Sequence, residues 1–239
     1  MRSRRGPAGK GTVPIALPGP RRLPAALGAV LALRGAARRQ LDAARALTRP
    51  LARHCILVAV DGGLDACRAW RRRPDLFVGD GDSTRSIPAG MPAVIYRRDK
   101  DHSDLAGALV ELQRRRVRVV GIAGLLGGRV DHEWANLLEV GRRARSFALV
   151  VAPAARGTLV VTARGCAVGL ARGTMFSLFS LASSSTVTLT GARWTLRRRR
   201  LLPGSHGLSN LATGRVRLAV HSGTVALLLP PGREREIPG

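Results

Sequence analysis

The sequence predicts an α/β fold, with a mostly parallel, Rossmann-like three-layer domain followed by a C-terminal antiparallel β-sandwich. Three observations carry this. Between Cys55 and Val151 short apolar runs alternate with helical stretches, the pattern of a parallel sheet covered on both faces. The acidic residues of that region follow the ends of the apolar runs, where open α/β sheets bind ligands. Beyond Ala152 the texture changes to short Val-, Leu- and Thr-rich runs punctuated by glycine, which read as antiparallel strands. A chain of 239 residues can form two cores. We divide it into a disordered basic tail (1–12), a nucleotide-binding domain (13–152) and a sandwich (153–239), with the boundary near Pro153.

Taken in order, Gly6 to Thr12 superficially resembles a phosphate-binding loop, but only two residues separate Gly6 from Gly9 where four are needed. Leu23 to Leu33 reads either as the apolar middle of a signal peptide or as part of a first βα unit. The nucleotide-enzyme pattern that follows favours the second, with a strand at Val13–Leu17 and a helix across Pro24–Leu47. Cys55–Val60 is a continuous apolar run ending in Asp61-Gly62-Gly63, followed by a helix to about Arg73 that Pro74 stops. Leu76–Val78 ends at Asp80, and Ala93–Tyr96 leads to Asp99-Lys100-Asp101. Ser103 can cap a helix carrying Asp104 in its first turn. Val117–Ile122 leads to Gly127-Gly128-Arg129-Val130-Asp131 and a helix to Arg143, and Phe147–Val151 is a further strand. Arg71–Arg73, Arg114–Arg116 and Arg142-Arg143 fall near helix C-termini, where they complement the dipole. Thr158–Thr162, Met175–Leu181, Thr186–Thr190, Val216–Val220 and Thr224–Leu229 supply a sandwich of about six or seven strands.

Composition narrows the function classes. The formal charge of +25 points first to a nucleic-acid or acidic-membrane partner. Its basic residues are arginines spread along the chain, with lysine only at Lys10 and Lys100, and aromatic residues make up only 3%. Base-stacking surfaces therefore have little to build on, and we expect no specific nucleic acid and no membrane partner. Cys55, Cys67 and Cys166 show no paired spacing, which favours a reducing cytoplasm, and the five histidines show no zinc spacing.

The chemistry centres on Val78-Gly79-Asp80-Gly81-Asp82-Ser83. Two carboxylates two residues apart repel unless a cation neutralises them, and Mg2+ shared with substrate phosphates is the usual solution. Asp61, Asp80, Asp82, Asp99, Asp101, Asp104 and Asp131 all follow strand ends and are expected at one edge of the sheet. In a chain with 40 Lys and Arg against 15 Asp and Glu, that gathering favours a metal-assisted nucleotide site over a solvated acidic turn.

The order of motifs then resembles thiamine pyrophosphokinase. D-G-G stands at 61–63, P-D-x-x-V-G-D-x-D-S at Pro74–Ser83, D-K-D-x-S-D-L at Asp99–Leu105, and G-G-R-x-D-H with a following Asn136. The second half adds S-L-F at 177–179, G-x-x-W-x-L at Gly191–Leu196 and G-x-S-N at Gly207–Asn210. The resemblance covers roughly residues 58–225. It implies a homodimer that transfers the pyrophosphoryl group of ATP to the hydroxyl of thiamine, giving thiamine diphosphate and AMP. By that resemblance Asp61, Asp80, Asp82 and Asp104 would hold Mg2+, with Asp80, Asp82 and Asp104 catalytic. Gly62, Gly63, Ser83, Lys100, Asp101, Ser103 and Arg129 would surround ATP, and Asp131 and Asn136 would sit near ATP or the thiamine. Trp194, Ser209 and Asn210 would form the thiamine pocket at the subunit interface, where an indole face suits a cationic thiazolium.

One departure is Gly81, where that family usually carries a large apolar residue; its loss is expected to loosen the loop that aims Asp80 and Asp82. A same-fold enzyme acting on a hydroxymethylpterin, and an inactive homologue, are the alternative readings. A non-enzymatic arginine-rich nucleic-acid binder would leave the strand-end aspartates unexplained.

Overall fold

The computed structural model describes residues 15–16, 27–52 and 54–231. The expected basic tail and the loop-like Gly6–Thr12 lie outside the described residues. Of the expected strand at 13–17, β1 (Ile15–Ala16) is described, and it pairs antiparallel with a strand of the second half, at Val168 and Ala167.

Six strands form the parallel part of the sheet: β2 (Leu27–Ala32), β3 (His54–Val60), β4 (Leu76–Gly79), β5 (Ala93–Ile95), β6 (Val117–Ala123) and β7 (Leu149–Ala154). Their spatial order is β5-β4-β3-β2-β6-β7. The chain builds outward from β2 in one direction and then returns to its other side at β6. The switch point is therefore the crevice beyond the carboxyl ends of β2 and β6, where such sheets take ligands.

β2 corrects the expected Pro24–Leu47 helix. Its hexapeptide Leu-Gly-Ala-Val-Leu-Ala lies between two parallel neighbours, β3 and β6. Ala29 and Leu31 enter the core on one face, and Val30 and Ala32 enter the core on the other. A strand buried on both faces has no polar side, so its sequence cannot be told from a buried helix by periodicity. Only the second part of the stretch is helical, α1 (Arg38–Thr48), whose Gln40 side chain accepts from the Ala37 N–H at 2.8 Å.

α1 and α2 (Gly63–Ala69) cover one face of the sheet, packing Leu41, Ala44, Leu64 and Cys67 against Val30, Ala59 and Phe77. α3 (Asp104–Arg114) and α4 (Val130–Arg143) cover the other, with Leu105, Leu109, Leu112 and Val140 against Val78, Val120 and Ile122. Each such buried leucine contributes roughly 1.5–3 kcal/mol. α2 is shorter than expected: Trp70 ends it, and Arg71 turns in the left-handed region at φ 54°. The expected Ser103 cap is present, its hydroxyl accepting from the Ala106 N–H at 3.2 Å.

Seven strands follow among the described residues: β8 (Gly157–Thr162), β9 (Gly165–Val168), β10 (Met175–Ser180), β11 (Ser185–Ala192), β12 (Leu196–Leu201), β13 (Asn210–Ser222) and β14 (Val225–Leu229). β8, β14 and β10 extend the large sheet antiparallel from β7. β9, β13, β11 and β12 form the second layer. Val160, Leu178 and Leu227 from the first layer share one core with Val168, Val187, Leu189 and Leu218 from the second. β9 and β12 were not legible beforehand: β9 is four residues long, and Arg197–Arg200 hide the alternation of β12. All three cysteines are unpaired. Among the described residues no helix is long and apolar enough to cross a membrane.

Candidate active site

A cleft of about 730 Å3 opens at the switch point. Leu33, Arg34 and Gly35 after β2 and Gly124 and Leu125 after β6 line its middle, Asp61, Asp80 and Asp82 line one side, and Arg129, His132, Glu133 and Asn136 line the other. Its size is that of a small-ligand pocket.

Asp61, Asp80 and Asp104 converge, each offering a carboxylate oxygen within 4.8 Å of the others. Strand geometry makes this happen. Asp61 follows β3 and Asp80 follows its neighbour β4, while the Ser103 cap brings the start of α3 over both. Asp61 is held by its N–H donating to the Val78 carbonyl at 2.9 Å, in the left-handed region at φ 45°. Its Oδ1 is buried with no hydrogen-bond partner. Non-glycine residues in that region concentrate at functional sites.

The Lys100 ammonium sits among these acids, paired with Asp80 and, at 3.1 Å, with Asp104. Lys100 holds the Asp80 carboxyl below the usual carboxylate range. Burial pushes Asp104 up, against the pull of Lys100. Burial alone would lower Lys100, but its hydrogen bonds to Asp80 and Asp104 raise it. Three carboxylates against one ammonium leave two formal negative charges. That surplus and the unpartnered Asp61 oxygen fit a divalent, oxygen-seeking cation.

The other expected residues separate into two groups. Gly62, Ser83, Ser103, Arg129 and Asn136 line the cleft with Asp82. Asp82 is outside the tight trio; its N–H donates to Asp80 Oδ1 at 3.1 Å, and its Oδ1 accepts from the Ser83 hydroxyl at 2.9 Å. Gly81 between them adopts φ 79°, a conformation open to glycine without strain, and a side chain there would meet only Ile87, at 3.4 Å. The loop is thus tied by local hydrogen bonds where an apolar anchor was expected to be missed.

Not all seven strand-end aspartates reach the cleft. Asp99 is bound to Arg97 and Asp131 to Arg129, both pairs exposed, and Asp101 lines a separate shallow depression with Tyr96 and Lys100. In each case a neighbouring loop arginine or the loop's own course carries the acid away from the strand end. Gly63 serves packing: a Cβ there would lie 1.8 Å from the Ala32 carbonyl oxygen.

Arg34 and Glu133 are among the cleft residues not found beforehand. Arg34 approaches the Ser83 hydroxyl at 3.3 Å and has no ion-pair partner among the described residues. Only the recognition of β2 as a strand could have flagged it. Glu133 accepts from the Gly128 N–H at 2.6 Å and from Gly127 as well, fixing the glycine turn ahead of α4.

Trp194, Ser209 and Asn210 come together in the sandwich, and none lines the cleft. Asn210 is buried; its Oδ1 accepts from the Trp194 N–H at 3.1 Å and its Nδ2 donates to the Trp194 carbonyl at 2.8 Å. Ser209, at φ 58°, donates its N–H to the Ser177 hydroxyl at 3.1 Å. The Trp194 ring is half exposed, with the Arg193 guanidinium 5.1 Å from its centroid.

Residues 48–150 match the family described as thiamin pyrophosphokinase, catalytic domain. No curated protein matches the chain by sequence. Among solved structures, a thiamine pyrophosphokinase from Bacillus subtilis is similar at 18% identity and TM-score 0.65, over 86% of this chain and 100% of that one. One from Geobacillus thermodenitrificans is similar at 20% identity and TM-score 0.63, over 85% and 97%. A thiamin pyrophosphokinase family protein from Enterococcus faecalis is similar at 16% identity and TM-score 0.61, over 88% and 100%. These likenesses extend the shared fold across both halves of the chain, and residues 48–150 of its α/β half are similar to the catalytic domain of the thiamin pyrophosphokinase family.

Proposed function

We propose that the chain is a thiamine diphosphokinase, moving the pyrophosphoryl group of ATP to the hydroxyl of thiamine and releasing thiamine diphosphate and AMP. The observation that carries the reading is the convergence of Asp61, Asp80 and Asp104 beside a cleft at the switch point of the sheet. In this reading those three hold Mg2+, which when bound neutralises charge on the triphosphate. Arg34 and Arg129 lie along the same cleft to bind phosphate oxygens, and Lys100 keeps Asp80 and Asp104 oriented. The thiamine hydroxyl oxygen bonds to the β-phosphorus as the bond from that phosphorus to the α-phosphate oxygen breaks. AMP leaves with that electron pair. Asp82, in the cleft but outside the trio, is placed to take the hydroxyl proton.

The same reading makes the active unit a homodimer. Trp194, Ser209 and Asn210 do not line the cleft of their own chain, so a second copy would bring its own sandwich corner to it. α4 supports this with an exposed apolar stripe at Val130, Trp134 and Leu138, four residues apart beside the cleft. Light scattering should give twice the chain mass. Cytoplasmic placement belongs to this proposal too.

The test is AMP release from ATP and Mg2+ with and without thiamine, with the product weighed by mass spectrometry. Thiamine-dependent AMP together with thiamine diphosphate supports the proposal. ADP in place of AMP would overturn pyrophosphoryl transfer, and turnover with a hydroxymethylpterin alone would change the acceptor.

A further inference from the structure

Residues 144–231 contain eleven arginines and no Asp or Glu, whereas thirteen of the chain's 15 acids lie in 27–143. None of the eleven has an ion-pair partner among the described residues. The arginines are spread along the sequence, but the acids that could neutralise them are not.

The second layer of the sandwich concentrates this charge. Among the described residues β12 pairs only with β11, and its Arg197–Arg200 are all exposed. Arg200 stands opposite Thr186, and Arg217 of β13 stands opposite Thr190, so both share the outer face with those threonines. Arg215 is two residues from Arg217 on the same exposed phase of the strand. Between them Thr188 bonds His221 at 2.8 Å. Arg198 forms a bulge at φ 45°, its N–H donating to the Thr188 hydroxyl at 3.1 Å.

We propose that this face binds the phosphate backbone of duplex nucleic acid without reading its sequence. Guanidinium and hydroxyl groups in rows are the donors that contact phosphates, and such contacts carry no base information. Binding is driven by release of counterions condensed on the duplex. A bilayer partner would call for apolar side chains to bury beside the cations, and the outer face presents threonine, alanine and arginine instead. An acidic peptide adding as a strand needs a regular edge, and the Arg198 bulge interrupts this one.

The test is fluorescence anisotropy of a labelled random duplex with the full chain, in EDTA so that the cleft acids cannot bridge to phosphate through metal. The logarithm of affinity should fall with the logarithm of salt at a slope of about −4, as for four to five phosphate contacts. The R197Q/R198Q/R199Q/R200Q variant should lose at least roughly tenfold in affinity and about two to three units of slope. The corresponding all-lysine variant should bind nearly as well as the parent. R215Q/R217Q, on an interior strand, should lose one to two units of slope, about one per contact, and serves if the edge variant aggregates. Thiamine-dependent AMP release should be unchanged in all three. Slopes unaltered in both glutamine variants, no duplex binding at low salt, or binding to phosphatidylserine vesicles in place of duplex would each overturn the assignment.

Discussion

In the cleft, three carboxylates stand at the ends of core strands and a capped helix, while in the sandwich an exposed indole hangs on the hydrogen bonds of one buried asparagine. The first arrangement is over-determined. Asp61, Asp80 and Asp104 are placed by separate elements packed into one core, so their separation survives the loss of any single polar contact. The second rests on Asn210 and on the Arg193 N–H donating to the Leu211 carbonyl at 2.8 Å, so removing the Asn210 side chain loosens the segment. The acids are also held against their own electrostatics, with one lysine for three carboxylates. No such strain exists at Trp194. The cleft is built to hold charge in place, and the corner is built to offer a surface.

The sharpest test is Asp61→Asn, which keeps shape and removes the charge of the unpartnered oxygen. If Mg2+ is held there, thiamine-dependent AMP release should fall by roughly 10³-fold, in the range of losing a main electrostatic contact to the transition state. Mg2+ should also cease to raise the thermal midpoint, because a ligand stabilises only the state that binds it. Loss of only a few-fold, with the Mg2+ shift retained, would move the metal away from the trio.

Arg34→Ala comes next. A charge-assisted hydrogen bond is worth about 1.5–3 kcal/mol, so KM for ATP should rise roughly 10- to 100-fold with KM for thiamine little changed. An equal rise in both would mean that Arg34 shapes the cleft without touching phosphate.

The difference between these residues is also a difference in legibility. Asp61 and Asp80 could be read because each follows an apolar run and a parallel sheet sends all such ends to one edge. Arg34 could not, because its strand is buried on both faces and its hexapeptide carries no period-2 signal. Asp99 and Asp131 show the limit of the same rule: position after a strand brings an acid to the right edge, but an arginine two residues away decides where it points. The sandwich was legible as a class and not strand by strand, since four consecutive arginines erase alternation on an edge strand that solvates both faces.

Asn210→Ala probes the corner's dependence on one side chain. It abolishes two hydrogen bonds to Trp194 and one to the Leu211 N–H, in a buried position. We expect a loss of about 2–3 kcal/mol in stability by denaturant titration, with unchanged slope. KM for thiamine should rise while KM for ATP stays constant; a rise in both would tie the corner to the cleft of its own chain.

The smallest effect concerns the indole itself. Arg193 already lies over the Trp194 ring, so that face accepts a cation, and a thiazolium would have to displace or share it. A cation–π contact contributes roughly 0.5–2 kcal/mol, so Trp194→Leu should raise KM for thiamine about 2- to 30-fold and leave kcat within a small factor. Trp194→Phe should recover part of the loss, because a smaller ring keeps a weaker negative face. Arg193→Ala separates the two partners of that face. If the guanidinium occupies the position the thiazolium takes, its removal should lower KM for thiamine. If instead Arg193 braces the ring, KM should rise as it does in Trp194→Leu. A Trp194→Leu variant with unaltered KM would leave the ring no part in binding, and the corner would then be only a hydrogen-bonded turn with an exposed tryptophan on it.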